Sequence, residues 1–235
     1  MATEIRLPKI KFCGLTRTED VVAAIECGAD AIGLNFYKPS PRYVSPETAR
    51  GLSHAAEKLV LRVGVFVNAS PTEVDAVLAI CPLDCIQLHG DETPEWIDDA
   101  EVIPSLTSLL FIKAIAWRDL EEDRQKVLTW TRRNHPRFLG LLVDAFDPVQ
   151  RGGTGKMARW DLLFPRPEIF RNTSILLAGG LTPENISQAM EIAKPDGVDF
   201  ASGIESAPGI KDHLKMQVIA AVARKCFAKI RRTGR

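Results

Sequence analysis

Lys9-Ile10-Lys11-Phe12-Cys13-Gly14-Leu15-Thr16 is the stretch whose reading decides the fold. Its first five residues alternate, with Lys9, Lys11 and Cys13 on one face of a strand and Ile10 and Phe12 on the other. Gly14 ends the strand. Thr16-Arg17-Thr18-Glu19 then has the spacing of a capping box, so a helix is predicted to open at once. A thiol therefore stands on the last residue of a strand, on the face that carries the lysines. A cysteine alone is ordinarily a small buried hydrophobe. Whether this one is more depends on what the rest of the chain brings to it.

The same strand-then-helix unit recurs downstream. Residues 31–36, 61–67, 85–90, 111–117, 138–144, 174–180 and 197–203 each read as a short, mostly apolar strand. Helical spacing follows them, as in Val74, Val77, Leu78 and Cys81, or Ile186, Ala189, Met190 and Ala193. Ser45-Pro46, Ser70-Pro71, Thr93-Pro94 and Thr182-Pro183 supply hydroxyl caps with proline at the first helical position. A short helix is expected near residues 160–164. Eight strands alternating with eight helical segments predict parallel pairing. A doubly wound sheet would carry a dinucleotide fingerprint after its first strand, where Cys-Gly-Leu-Thr stands instead. The expectation is a (β/α)8 TIM barrel of eight parallel strands, a single domain over residues 1–235.

The totals restrict the partners. Lysine plus arginine number 30 and aspartate plus glutamate 30, so no net charge draws the chain to nucleic acid or an anionic membrane. The basic end, from Arg224 to Arg235, reads as solvated cations on the last turns of a helix. No apolar run approaches the roughly 18 residues of a membrane span, and no charged-then-apolar leader is present. Five cysteines without framework spacing suit a reducing cytoplasm. The histidines at 54, 89, 135 and 213 show no ligand spacing, so neither metal nor cofactor is expected.

In a barrel of this kind the C-terminal strand ends form the active face. They offer Cys13, Asn35, Phe66, Gln87 or His89, Trp117, Asp144, Gly179-Gly180 and Ser202-Gly203. Gly152-Gly153-Thr154-Gly155-Lys156 approaches a Walker loop but has Gln150 where glycine is needed and Met157 after the lysine. The glycines at 153, 179, 180 and 203, with Ser202, suit a phosphate held by backbone N–H groups. Alternatively the glycines only permit tight turns. Asp144 ends an otherwise apolar strand, either as a partner for Lys11 or as a general acid with a raised pKa. One thiol and one carboxylate suit proton transfer on a small phosphorylated molecule, such as an isomerisation.

Several segments resemble the signatures of phosphoribosylanthranilate isomerase. They are Lys11-Phe12-Cys13-Gly14-Leu15-Thr16, Lys38-Pro39-Ser40-Pro41-Arg42-Tyr43-Val44-Ser45-Pro46-Glu47, Val63-Gly64-Val65-Phe66-Val67-Asn68 and Gln87-Leu88-His89-Gly90. Leu142-Val143-Asp144 with Gly152-Gly153-Thr154-Gly155, Ala178-Gly179-Gly180-Leu181-Thr182-Pro183-Glu184-Asn185, and Ser202-Gly203-Ile204-Glu205 complete the set. The resemblance implies a cofactor-free Amadori rearrangement of N-(5'-phosphoribosyl)anthranilate in tryptophan biosynthesis. It implies Cys13 as general base, Asp144 as general acid, and Arg42 as the holder of the anthranilate carboxylate. A monomer or homodimer acting on a small phosphorylated substrate is expected. Two departures stand out: Ala158-Arg159-Trp160 replaces a common Phe-Asp-Trp, and Ala201-Ser202 replaces a pair of serines. Other phosphosugar barrels, such as a ribulose-phosphate epimerase or a histidine-pathway isomerase, would need a metal-binding His/Asp set or two aspartates. A barrel that only binds a phosphometabolite has no use for both Cys13 and Asp144.

The chemistry also sets an expectation for acidity. With ordinary pKa values of about 8.5 and 3.9, a thiolate and a carboxylic acid coexist in about one molecule in 10⁵ at pH 7. Desolvation is expected to raise Asp144, and either lysine, if near, to lower Cys13.

Overall fold

The computed structural model describes residues 6–144 and 159–233. The strands are β1 (Ile10–Cys13), β2 (Ala31–Asn35), β3 (Leu61–Phe66), β4 (Cys85–Leu88), β5 (Leu110–Ala116), β6 (Phe138–Asp144), β7 (Ile175–Ala178) and β8 (Gly197–Phe200). They pair in parallel in chain order. β8 closes on β1 through Ile10↔Val198, Lys11↔Asp199 and Phe12↔Phe200. This is the (β/α)8 barrel expected from the sequence.

The helices are α1 (Thr18–Glu26), α2 (Pro46–Ala56), α3 (Pro71–Leu78), α4 (Glu95–Glu101), α5 (Glu121–Thr131), α6 (Ile186–Ala193) and α7 (His213–Thr233). Between β6 and β7 the described residues hold two 3-10 turns, Trp160–Leu163 and Glu168–Phe170, in place of an α-helix. Pro165 and Pro167 stand between those turns and lack the N–H that would join them into one helix. A small antiparallel hairpin, β9 (Glu205–Ala207) with β10 (Ile210–Lys211), precedes α7.

Alternation along each strand sorts the apolar residues into two cores. Ile10 and Phe12 face the helices, where Phe12 packs on Phe200 at 5.6 Å between ring centroids. Ala31, Val63, Cys85, Ile112, Leu142 and Leu176 fill the barrel interior. Each large side chain so buried contributes roughly 1.5–3 kcal/mol, which fixes the register of every strand.

Two of the expected helix caps form. Ser45 Oγ accepts the Thr48 N–H at 3.2 Å, and Ser70 with Glu73 makes a reciprocal capping box. Three do not. Thr16 donates its hydroxyl to the Gly209 carbonyl at 2.6 Å, so Arg17 becomes the N-cap without a side-chain bond. Thr93 is displaced because Pro94 takes the cap position before α4. Thr182 instead donates its N–H to Asn185 Oδ1 at 2.8 Å, a turn that delays α6 to Ile186.

Candidate active site

At the end of β1 the inward face carries Lys11 and Cys13. Gly33, beside them on β2, makes the room. A Cβ there would lie 2.7 Å from Cys13 Sγ and 3.1 Å from Lys11 Nζ. Lys11 is fully buried and donates to Asp199 Oδ1 at 2.9 Å. Its partner is thus Asp199, brought opposite by barrel closure, and not the suggested Asp144. Burial works against the ammonium, but Asp199 and Cys13 outweigh it and hold the Lys11 pKa above the ordinary value. Lys9 takes no part, because its ammonium lies over the Phe227 ring of α7 at 5.7 Å.

The expected lowering of Cys13 does not occur. Burial pushes the thiol pKa up and outweighs Lys11, while Asp199 adds to the rise. Burial is the main reason, and charge balance adds to it: the Lys11 cation faces an aspartate at hydrogen-bond distance, which offsets part of its pull on the thiol. Cys13 in the free protein is therefore a thiol at neutral pH.

Cys13 and Asp144 line one cavity of about 550 Å³, together with Arg42, Gly180, Ser202 and Gly203. Gly179 and Asp199 also reach it. Asp144 is partly buried at the end of β6, where its carbonyl accepts the Trp117 N–H at 2.9 Å. Gly179 and Gly180 have φ of 95° and 60°, a left-handed conformation that glycine adopts without strain. At Gly203 a Cβ would lie 1.9 Å from the Leu181 carbonyl oxygen, so glycine lets the loops after β7 and β8 approach. Gly153 lies outside the described residues.

Arg42 is already engaged. Its Nε and Nη2 donate to Glu205 Oε1 and Oε2, both at 2.7 Å, and Lys211 Nζ donates to the same Oε1 at 2.8 Å. Burial alone would raise the Glu205 pKa, but Arg42 and Lys211 bring it below the usual carboxylate range. The side-on edge of the guanidinium is thus filled, leaving the end-on edge with Nη1 for another anion. Of the two sequence departures, Arg159 turns outward to pair with Asp161 at 2.9 Å while Trp160 is buried. Ala201 has no hydroxyl, and its carbonyl accepts from Lys211 at 3.0 Å.

The sequence reading missed Asp199 and the role of Glu205. Asp199, like Asp144, is the lone charge in an apolar strand, and that signal was available. Among the described residues no three His, Cys, Asp or Glu side chains converge as metal ligands. None of the described helices is long and apolar enough to cross a membrane.

A barrel whose mouth brings a thiol and a carboxylate to one cavity has the form of a proton-transferring isomerase. The family model for N-(5'phosphoribosyl)anthranilate (PRA) isomerase matches residues 10–222. The chain belongs to that family, and it is an isomerase of tryptophan biosynthesis. It is 39% identical over 219 residues to the N-(5'-phosphoribosyl)anthranilate isomerase of Trichlorobacter lovleyi, covering 93% of this chain and 99% of that one. The crystal structure of the Thermotoga maritima enzyme superposes with a TM-score of 0.78 at 35% identity, covering 93% and 100% of the two chains. A phosphoribosylanthranilate isomerase solved with reduced 1-(o-carboxyphenylamino)-1-deoxyribulose 5-phosphate superposes with a TM-score of 0.75 at 34% identity, with the same coverage.

Proposed function

We propose that Asp144 and Cys13 divide the proton transfers of the Amadori rearrangement. The observation that carries this reading is their presence on one cavity that also reaches Arg42 and the loops after β7 and β8. Asp144, as the acid, protonates the ribose ring oxygen, and the C1–O bond opens to an iminium. Cys13, as the thiolate, removes the proton from C2. The resulting enol-amine takes a proton at C1 and gives up its hydroxyl proton, which completes the ketone. The iminium charge favours the thiolate that the free protein disfavours, since a nearby cation lowers a thiol pKa. Adding the purified protein is expected to abolish the fluorescence of N-(5'-phosphoribosyl)anthranilate. A signal that persists would contradict the reading.

The two anionic ends of the substrate are assigned separately. Backbone N–H groups at Gly179, Gly180 and Gly203, with the Ser202 hydroxyl, hold the phosphate. The end-on edge of Arg42 holds the anthranilate carboxylate, oriented by Glu205. Ser202→Ala is expected to raise KM about three- to tenfold with kcat little changed, because phosphate binding far from the reacting carbons is largely uniform. Steady-state kinetics check this, and an equal fall in kcat would move Ser202 into the transition state. Arg42→Lys keeps the charge but loses the fork, and is expected to raise KM about tenfold or more. Unchanged KM would return Arg42 to a purely structural partner of Glu205. We read residues 1–235 as a single catalytic barrel domain. The five free cysteines fit a cytoplasmic setting.

A further inference from the structure

Alternation along β4 sends Cys85, Gln87 and, just past its end, His89 inward, while Ile86 and Leu88 face the helices. Gln87 is completely buried, and His89 opens onto the cavity that it shares with Cys13 and Asp144. Gln87 Nε2 lies 2.7 Å from His89 Nδ1. Gln87 Oε1 has no hydrogen-bond partner among the described residues. Together these contacts give the pair a polarity. The amide nitrogen donates, Nδ1 accepts, and the single ring proton therefore sits on Nε2. Reversing the amide would put two N–H donors where one carbonyl oxygen now stands unpaired. Buried orphaned donors are the rarer defect.

The surroundings disfavour a second proton on the ring. Imidazolium would have to donate from Nδ1 toward a group that is itself donating. His89 keeps an exposed face on the cavity, yet the protein atoms packed round the ring oppose the charge most, Lys11 on β1 and Lys113 on β5 oppose it further, and Asp199 on β8 and Glu92 after β4 favour it. The net effect lowers the His89 pKa. Asp144, Cys13, Tyr37 and Arg42 also line the cavity that His89 faces, and Asp91, Arg118, Asp123 and Lys126 line an adjoining one that it shares.

We infer that Gln87 is a positioning residue that locks His89 as a neutral imidazole, with its Nε2–H presented to a hydroxyl oxygen of the bound sugar chain. A single neutral donor suits an uncharged oxygen. The two anionic ends of the substrate are met by Arg42 and by the glycine loops. The inference rests on the cavity reading above, but its first test needs no substrate.

Nitrogen NMR of labelled histidine in the free protein, with His89→Gln to assign the signal, should show the Nε2-protonated neutral tautomer from about pH 6 to 8. An Nδ1-protonated ring, or imidazolium at neutral pH, would overturn the inference. Gln87→Met keeps the length and apolar burial but releases Nδ1. It should lower kcat about tenfold, the scale of one lost hydrogen bond, and add an acid limb as His89 becomes protonated. His89→Gln, which keeps an N–H near Nε2, should retain several-fold more turnover than His89→Ala. If the tautomer is as stated but Gln87→Met and both His89 variants turn over at the wild-type rate, the sugar contact is wrong. The NMR signature and the His89 pair decide the matter even where Gln87→Met fails to fold. Failure here leaves the acid and base readings intact, since Cys13 and Asp144 variants test those.

Discussion

Cys13→Ala is expected to leave a folded barrel whose turnover is lowered by roughly 10²–10⁴-fold, the scale of losing a general base. In barrier terms this is about 2.7–5.4 kcal/mol. Cys13→Ser should be nearly as slow, because a serine hydroxyl fills the space beside Gly33 yet ionises far less readily. The pH profile follows from the same geometry. Activity needs thiolate and carboxylic acid together, and between their two pKa values the product of those fractions is constant. The rate begins to fall only above the thiol pKa, which burial raises. So kcat/KM should stay level past the ordinary thiol range near pH 8.5. Removing the anion that raises the thiol should lower its pKa, so Asp199→Asn should bring the fall to lower pH. A profile that breaks near pH 7 in the wild type would contradict the burial argument.

Asp144→Asn is expected to cost a comparable factor, roughly 10²–10⁴ in kcat, by removing the proton donor while preserving side-chain shape at the end of β6. The loss should fall on ring opening. A substrate analogue already in the open-chain form would escape it and react through Cys13 at close to the wild-type rate. Circular dichroism should match the wild type, since Asn retains the volume of Asp and one of its two accepting oxygens. Wild-type kcat in Asp144→Asn would remove the carboxylate from the reaction.

How much of this was legible in the sequence depends on distance along the chain. Local patterns read well: the alternation of β1 correctly put Lys11 and Cys13 on one face, and Ser45 and Ser70 cap as their spacing indicates. Contacts across the closure did not read. Lys11 meets Asp199 only because β8 pairs with β1, and no local signal says which aspartate will arrive. The Arg42–Glu205 fork spans the loop after β2 and the hairpin after β8, so the proline-stiffened loop was visible but its anchor was not. Thr16 looked like a cap until tertiary structure offered it the Gly209 carbonyl. The thiol acidity failed mainly because closure of the barrel buries Cys13, and in part for the same reason: a lysine nearby was a correct reading, but the aspartate that offsets its charge comes from the far end of the chain.

Turnover of the Cys13→Ala/Asp144→Asn double variant, measured beside both single variants by the loss of substrate fluorescence, tests the division of labour most directly. If the two groups serve successive steps, the double variant is limited by the slower step alone, and its kcat should match the slower single variant within about threefold. Losses that multiply would put both groups in one transition state and contradict the account.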